Sequence, residues 1–198
     1  MHEIDVSLFE WINATIHSPS WLLHSAALYS EYFPTLAISS MLLCLVFGTP
    51  ALRRGVAWCL VAMLVSWCCT RLIRWGFPLE RPYDLGLGVK WVEHSGRARF
   101  PSMHATVSFA FAAGMCLWCA LGPYAKGWKI LAWSVALLMG WSRIYIGVHL
   151  PFDVLGGLVV GAASVYMVQA ARTRFRFNPR DIFAAYWSRR AGPLVRRK

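Results

Sequence analysis

Residues 128–171 read WKILAWSVALLMGWSRIYIGVHLPFDVLGGLVVGAASVYMVQAA. Two apolar runs, Trp128–Ile146 and Phe152–Ala171, flank a short polar break that holds Arg143, His149 and Asp153. Each run is close to the ~20 residues a helix needs to cross the hydrocarbon core of a bilayer. A helical hairpin inside a membrane, turning where its ionisable residues sit, is the reading that decides the fold. Working outward, three more runs have the same character: Trp21–Phe47, Gly55–Trp75 and Met103–Leu121. The first is long and contains Glu31 and Pro34, so it reads either as one kinked helix or as a re-entrant piece followed by a full span. The expectation is an all-α integral membrane bundle with five or six spans. A shorter amphipathic segment, Val6–Ile16, is too polar to cross and reads as an interfacial helix.

Composition agrees. Hydrophobic residues are 58% of the chain and charged residues 15%, with 11 tryptophans in 198 residues. Soluble domains carry about a quarter charged residues. Tryptophan gathers where lipid meets water. The chain reads as one membrane domain over residues 1–171, with 1–19 as its N-terminal interfacial segment. Residues 172–198 form a basic tail that holds nine of the 20 Lys and Arg. The net charge of +11 does not point to nucleic acid, because the tail follows an apolar span and no recognition motif accompanies it. It suits a cytoplasmic flank facing anionic headgroups. No cleavable leader is visible at the N-terminus.

Lys and Arg in short loops set orientation. With five spans, Arg53 and Arg54, Lys126 and Lys129, and the tail share the cytoplasmic side. Loop 76–101 then faces outward, yet it carries Arg81, Lys90, Arg97 and Arg99. An anionic ligand held there would explain that exception. The stretch Tyr83–Trp91 reads as a loop at the interface or as a flap over a headgroup. The six cysteines all lie in apolar runs and read as packing residues, Cys116 and Cys119 included.

Chemistry concentrates at the outward helix ends. Arg74 closes one span and Arg81 opens the loop after it. Arginine offers a planar fork of donors matched to phosphate oxygens. Pro101-Ser102-Met103-His104 begins the next span. Serine is a favoured N-cap, and a helix start presents free N–H groups to an anion. His149 and Asp153 lie four residues apart, on one face if a helix begins near His149, a start that Pro151 supports. A carboxylate on one imidazole nitrogen fixes the tautomer and leaves the other as an aimed lone pair. No cluster of Cys, His and carboxylates suggests a metal site, and the arginines would neutralise transition-state charge instead.

These residues resemble the type-2 phosphatidic acid phosphatase (PAP2) superfamily, whose signature is K-x6-R-P, P-S-G-H and S-R-x5-H-x3-D. The chain has R-x6-R-P from Arg74 to Pro82, P-S-M-H from Pro101 to His104, and S-R-x5-H-x3-D from Ser142 to Asp153. The resemblance covers residues 20–171 and departs from the pattern at Arg74 and Met103. It implies that His149 attacks phosphorus to form a phosphohistidine, oriented by Asp153. His104 protonates the leaving oxygen and then activates water. Arg74, Arg81, Ser102, Met103 through its backbone, and Arg143 bind the phosphate oxygens. No cofactor or metal is implied. In character the chain is most similar to bacterial undecaprenyl-diphosphate phosphatases, which work at the outer face of the cytoplasmic (inner) membrane. Phosphatidylglycerophosphate or phosphatidate phosphatase, or a lipid phosphotransferase, is the alternative. A non-catalytic transporter would place its ionisable residues near span centres in repeated halves, and neither feature is seen.

Overall fold

The computed structural model describes residues 2–92, 98–119 and 122–175. Most of the basic tail, residues 176–198, lies outside the described residues, as does Arg97. Six helices follow one another: α1 (His2–Ile12), α2 (Ser20–Phe47), α3 (Pro50–Gly76), α4 (Met103–Gly114), α5 (Ala125–Tyr145) and α6 (Pro151–Arg174). A 3-10 turn, Pro82–Leu85, interrupts the α3–α4 loop, and α4 runs on into a π-helical turn, Met115–Cys119. No strand occurs among the described residues. The protein is an all-α membrane bundle.

The long first apolar segment is one continuous helix, α2, with Pro34 inside it. That continuity favours the lower of the two expected span counts. Among the described residues three helices, α2, α3 and α6, are each long and apolar enough to cross a membrane, and Met103–Cys119 forms a shorter apolar one. α5 has 21 residues and carries Lys126, Lys129 and Arg143. Large apolar side chains such as Leu36, Leu43, Phe47, Leu64, Leu72 and Val159 face outward. In water they would be an aggregation hazard, whereas lipid tails are as apolar as they are.

α3 begins five residues before its apolar run. Pro50 occupies the first turn and Thr49 caps it, its hydroxyl accepting from Leu52 N–H at 3.3 Å. α4 lies at the centre, packed against α3, α5 and α6. Its contact with α6 is close because Gly157 and Gly161, four residues apart, face it. A Cβ at Gly161 would stand 2.6 Å from Thr106 O and 2.9 Å from Ala110 N. Spaced glycines let two helices approach to backbone contact, which replaces the hydrophobic drive missing in lipid.

α1 is bound to the protein by one side. Phe9 is fully buried against Ile144 and Leu150. The Asp5 carboxylate accepts from Phe152 N–H at 2.9 Å, satisfying a donor at the start of α6. Ile4, Leu8 and Trp11 are exposed on the other side. An apolar outer stripe suits the interfacial reading, although the helix starts earlier and ends earlier than Val6–Ile16.

Basic residues gather at one end of the bundle. Gly55 of α3 abuts Trp118 of the π-helical turn, and Arg172 of α6 lies over the Trp58 ring. Arg53, Arg54, Lys126 and Lys129 flank these same turns. Arg74, Ser102, Arg143 and His149 occupy the opposite helix ends.

Candidate functional site

α5 ends at Tyr145, and α6 begins at Pro151 after a five-residue connection. The turn between them depends on Gly147, whose φ of +81° is a left-handed conformation that side chains resist. It delivers His149 to the middle of the bundle end, where it is 1% exposed. One helical turn on, Asp153 Oδ2 stands 3.2 Å from His149 Nδ1 and accepts from Leu150 N–H at 2.9 Å. The pairing expected from sequence is present, although the helix begins at Pro151 and not near His149, so Asp153 reaches back from its first turn. On the other ring nitrogen, Arg81 Nη1 lies 3.4 Å from Nε2 while donating to Val148 O at 2.8 Å. A donor at Nε2 and a carboxylate at Nδ1 together assign the Nδ1–H tautomer and leave the Nε2 lone pair facing Arg81.

The electrostatics agree with a neutral imidazole. Burial pushes the His149 pKa well below the ordinary histidine value, and Arg143, Arg81, Arg74 and His104 push it the same way. Four side chains from distant parts of the chain are thus close enough to act on one ring. Arg81 itself is fully buried, and burial lowers its pKa, opposed by Tyr83, Asp153 and Asp84.

The expected site residues fall as follows. Arg143, at the end of α5, is 5% exposed, and its Nη1 donates to Ser30 Oγ of α2. Ser102 holds the N-cap position of α4, and its backbone N–H donates to Asp153 O at 3.0 Å, tying the α4 start to α6. Its hydroxyl does not cap the helix, contrary to the usual behaviour of serine there. Ser102 Oγ is instead buried with no hydrogen-bond partner, and so are Arg143 Nε and Arg99 Nε. His104, in the first turn of α4, lines a cavity of about 150 Å³ together with Met103, Phe33, Pro34 and Phe111. The Met103 side chain therefore faces α2, leaving room at the backbone. Arg74 spends three hydrogen bonds on the chain: Nε and Nη2 donate to Pro101 O at 3.0 and 2.7 Å, and Nη2 to Arg99 O at 3.3 Å. It braces the segment before α4 as well as carrying charge. Among the described residues no group of three or more His, Cys, Asp or Glu could hold a metal ion.

Sequence reading missed several supports. Arg99 appeared only as a loop charge, yet its Nη1 lies 3.2 Å from Asp153 Oδ1. Ser30 had no distinguishing signal, being one of several hydroxyl residues in α2. Asn13 had none: it bonds Val89 through both backbone groups and Tyr145 O as well. Trp91 donates from Nε1 to Ala14 O at 2.8 Å and from its backbone to Ile146 O at 3.1 Å. The stretch Tyr83–Trp91 is fastened at both Val89 and Trp91.

Residues 55–176 match the PAP2 superfamily. The chain is 32% identical over 161 residues to YbjG of Escherichia coli (strain K12), provisionally named an undecaprenyl-diphosphatase. That match covers 81% of this chain and 79% of the relative. It is 28% identical over 158 residues to the undecaprenyl-diphosphatase BcrC of Bacillus subtilis (strain 168), covering 79% and 78%. Among solved structures, its fold is similar to that of a transmembrane PAP2-type phosphatidylglycerolphosphate phosphatase from Bacillus subtilis. There the TM-score is 0.66 at 20% identity, over 89% of each chain.

Proposed function

The chain belongs to the PAP2 superfamily, and from that premise we propose that it hydrolyses a polyprenyl diphosphate, most simply undecaprenyl diphosphate to undecaprenyl phosphate, through a phosphohistidine on His149. One observation carries the reading: Ser102 Oγ and Arg143 Nε, both donors, are buried and unpaired, close to His149 and Asp153. A buried donor without a partner costs about 1–3 kcal/mol. Phosphate oxygens would satisfy both, and charge-assisted bonds to arginine are the strong kind.

The terminal phosphate enters among Arg74, Arg81, Arg143, Ser102 and the Met103 backbone N–H. Arg81 shifts its donor from His149 Nε2 to a phosphate oxygen, freeing the lone pair. Nε2 attacks phosphorus, an N–P bond forms and the P–O bond to the lipid phosphate breaks. His104 gives its proton to the departing oxygen. Asp153 holds Nδ1–H and balances the positive ring. Water then attacks the phosphohistidine, passing its proton to His104, and inorganic phosphate leaves with His149 neutral again. Splitting the displacement in two replaces one hard step by two easier ones. Arginines supply the charge stabilisation that preorganised donors give most effectively in a dry site.

The substrate assignment is favoured by the two diphosphatase relatives, each matched over more than three quarters of its length. The basic end of the bundle, which includes Arg172 and Arg174 at the end of α6, faces the cytoplasm of a bacterium. The site then faces the outer side of the inner membrane, where the lipid tail stays in the bilayer. A test is phosphate release in detergent from undecaprenyl diphosphate, phosphatidylglycerophosphate, phosphatidate and lysophosphatidate. Undecaprenyl diphosphate is expected to react fastest, His149→Ala to abolish release, and EDTA to leave the parent rate unchanged. Full activity of His149→Ala would defeat the assignment.

A further inference from the structure

Asp153 has two carboxylate oxygens, and both are occupied. Oδ2 serves His149 Nδ1 and Leu150 N–H; Oδ1 serves Arg99 Nη1 at 3.2 Å. Asp153 is 1% exposed and the Arg99 side chain 13%. A carboxylate held only at Oδ2 can rotate about its Cβ–Cγ bond and lose the imidazole. A second donor on Oδ1 stops that rotation.

Arg99 is itself held at both backbone groups. Its N–H donates to Leu79 O at 3.0 Å, and its carbonyl accepts from Arg74 Nη2 at 3.3 Å. Arg74 reaches the Arg99 and Pro101 carbonyls at once by using two nitrogens of its fork. A lysine, one nitrogen on a flexible stem, does not match that arrangement. The arginine at 74 and the arginine at 99 thus form one unit: the first fixes the backbone that presents the second.

We propose that Arg99 is a positioning residue for the reaction, locking Asp153 so that His149 keeps its tautomer and aim, with Arg74 holding Arg99 in place. The proposal rests on His149 being the nucleophile. Arg99 acts through Asp153, so its effect falls on the rate of phosphoryl transfer rather than on substrate capture.

The test uses full-length protein in detergent with undecaprenyl diphosphate, rates being followed in single turnover where they are slow. Arg99→Gln is expected to lower kcat by about 10- to 100-fold, within the range a mispositioned acid–base group costs, while KM changes less than about threefold. Arg99→Lys, which keeps a cation near Oδ1, is expected to recover most of that loss. On an Asp153→Asn background, Arg99→Gln is expected to add less than about threefold, because coupled residues are not additive. A kcat within about twofold of the parent, a loss confined to KM, or an undiminished loss on the Asp153→Asn background would overturn the proposal. Should Arg99→Gln not fold, Arg99→Lys is compared on the two Asp153 backgrounds, and equal losses overturn it. Retained activity in His149→Ala would sink the nucleophile reading; an inactive His149→Ala beside an intact Arg99→Gln sinks this proposal alone.

Discussion

His149 shows how burial prepares one residue. Its ring sits in the interior with cations around it, so its pKa falls well below the ordinary 6.5. An unfolded chain takes up that proton near pH 6.5, and the folded protein does not. The unfolded state therefore binds more protons below that pH, and stability falls as pH drops below it. His149→Gln removes this term. The variant is expected to lose less thermal stability than the parent between pH 6.5 and 5, read by unfolding in detergent; equal losses would contradict a buried neutral imidazole. Ser102 supports a second prediction at this scale. Its hydroxyl is buried and bonds to nothing in the protein. Ser102→Ala is expected to leave stability unchanged or to raise it by up to about 1–3 kcal/mol, since no hydrogen bond is lost and a buried unpaired donor is removed. Activity is expected to fall at least about tenfold, because a donor to the phosphate is removed. Loss of stability without loss of activity would reassign the residue to structure.

The helices matter through where they begin and how closely they approach. α4 carries Ser102 and His104 at its start; α6 begins just after His149 and carries Asp153. Ser102 N–H bonded to Asp153 O joins the two starts directly. Gly157 and Gly161 set the distance between the helices. Gly161→Leu would drive a side chain into the α4 backbone at Thr106 and Ala110. Overpacking of this kind costs about 1–3 kcal/mol. Because it moves the helix holding His104 relative to His149, activity is expected to fall more steeply than stability. Phosphate release compared with the unfolding midpoint checks this, and an active, destabilised variant would separate helix spacing from chemistry. α1 works at the same scale, lending Asp5 to the start of α6 and Asn13 to the outer loop.

The whole molecule is polarised. Turns rich in Lys and Arg gather at one end, and an inward-facing set of arginines around His149 at the other. Both sets are basic, but only the first is exposed in short loops, which is the kind of charge that sets topology. In a cysteine-free background, Glu80→Cys is expected to react with an impermeant thiol reagent added outside intact cells. Lys126→Cys is expected to react only after the membrane is opened. The reverse pattern would invert the proposed orientation.

Much of this was legible beforehand because lipid is a simple solvent. A run of about 20 apolar residues has few alternatives to a helix, so the bundle and its polar ends followed from residues 20–171. Arg74, Arg81, Ser102, His104, Arg143, His149 and Asp153 stood out because ionisable and polar groups are costly at such depth. The spacing of His149 and Asp153 is local: His149 lies two residues before α6, and Asp153 in its first turn reaches back to it. Arg99 on Asp153 Oδ1, Ser30 under Arg143, Asp5 at the start of α6 and Asn13 under Val89 were not legible. Each is a contact between segments 50 or more residues apart. Nothing in local spacing encodes such a partner; it exists only once packing, down to the glycine contact of α6 with α4, has brought the helix ends together.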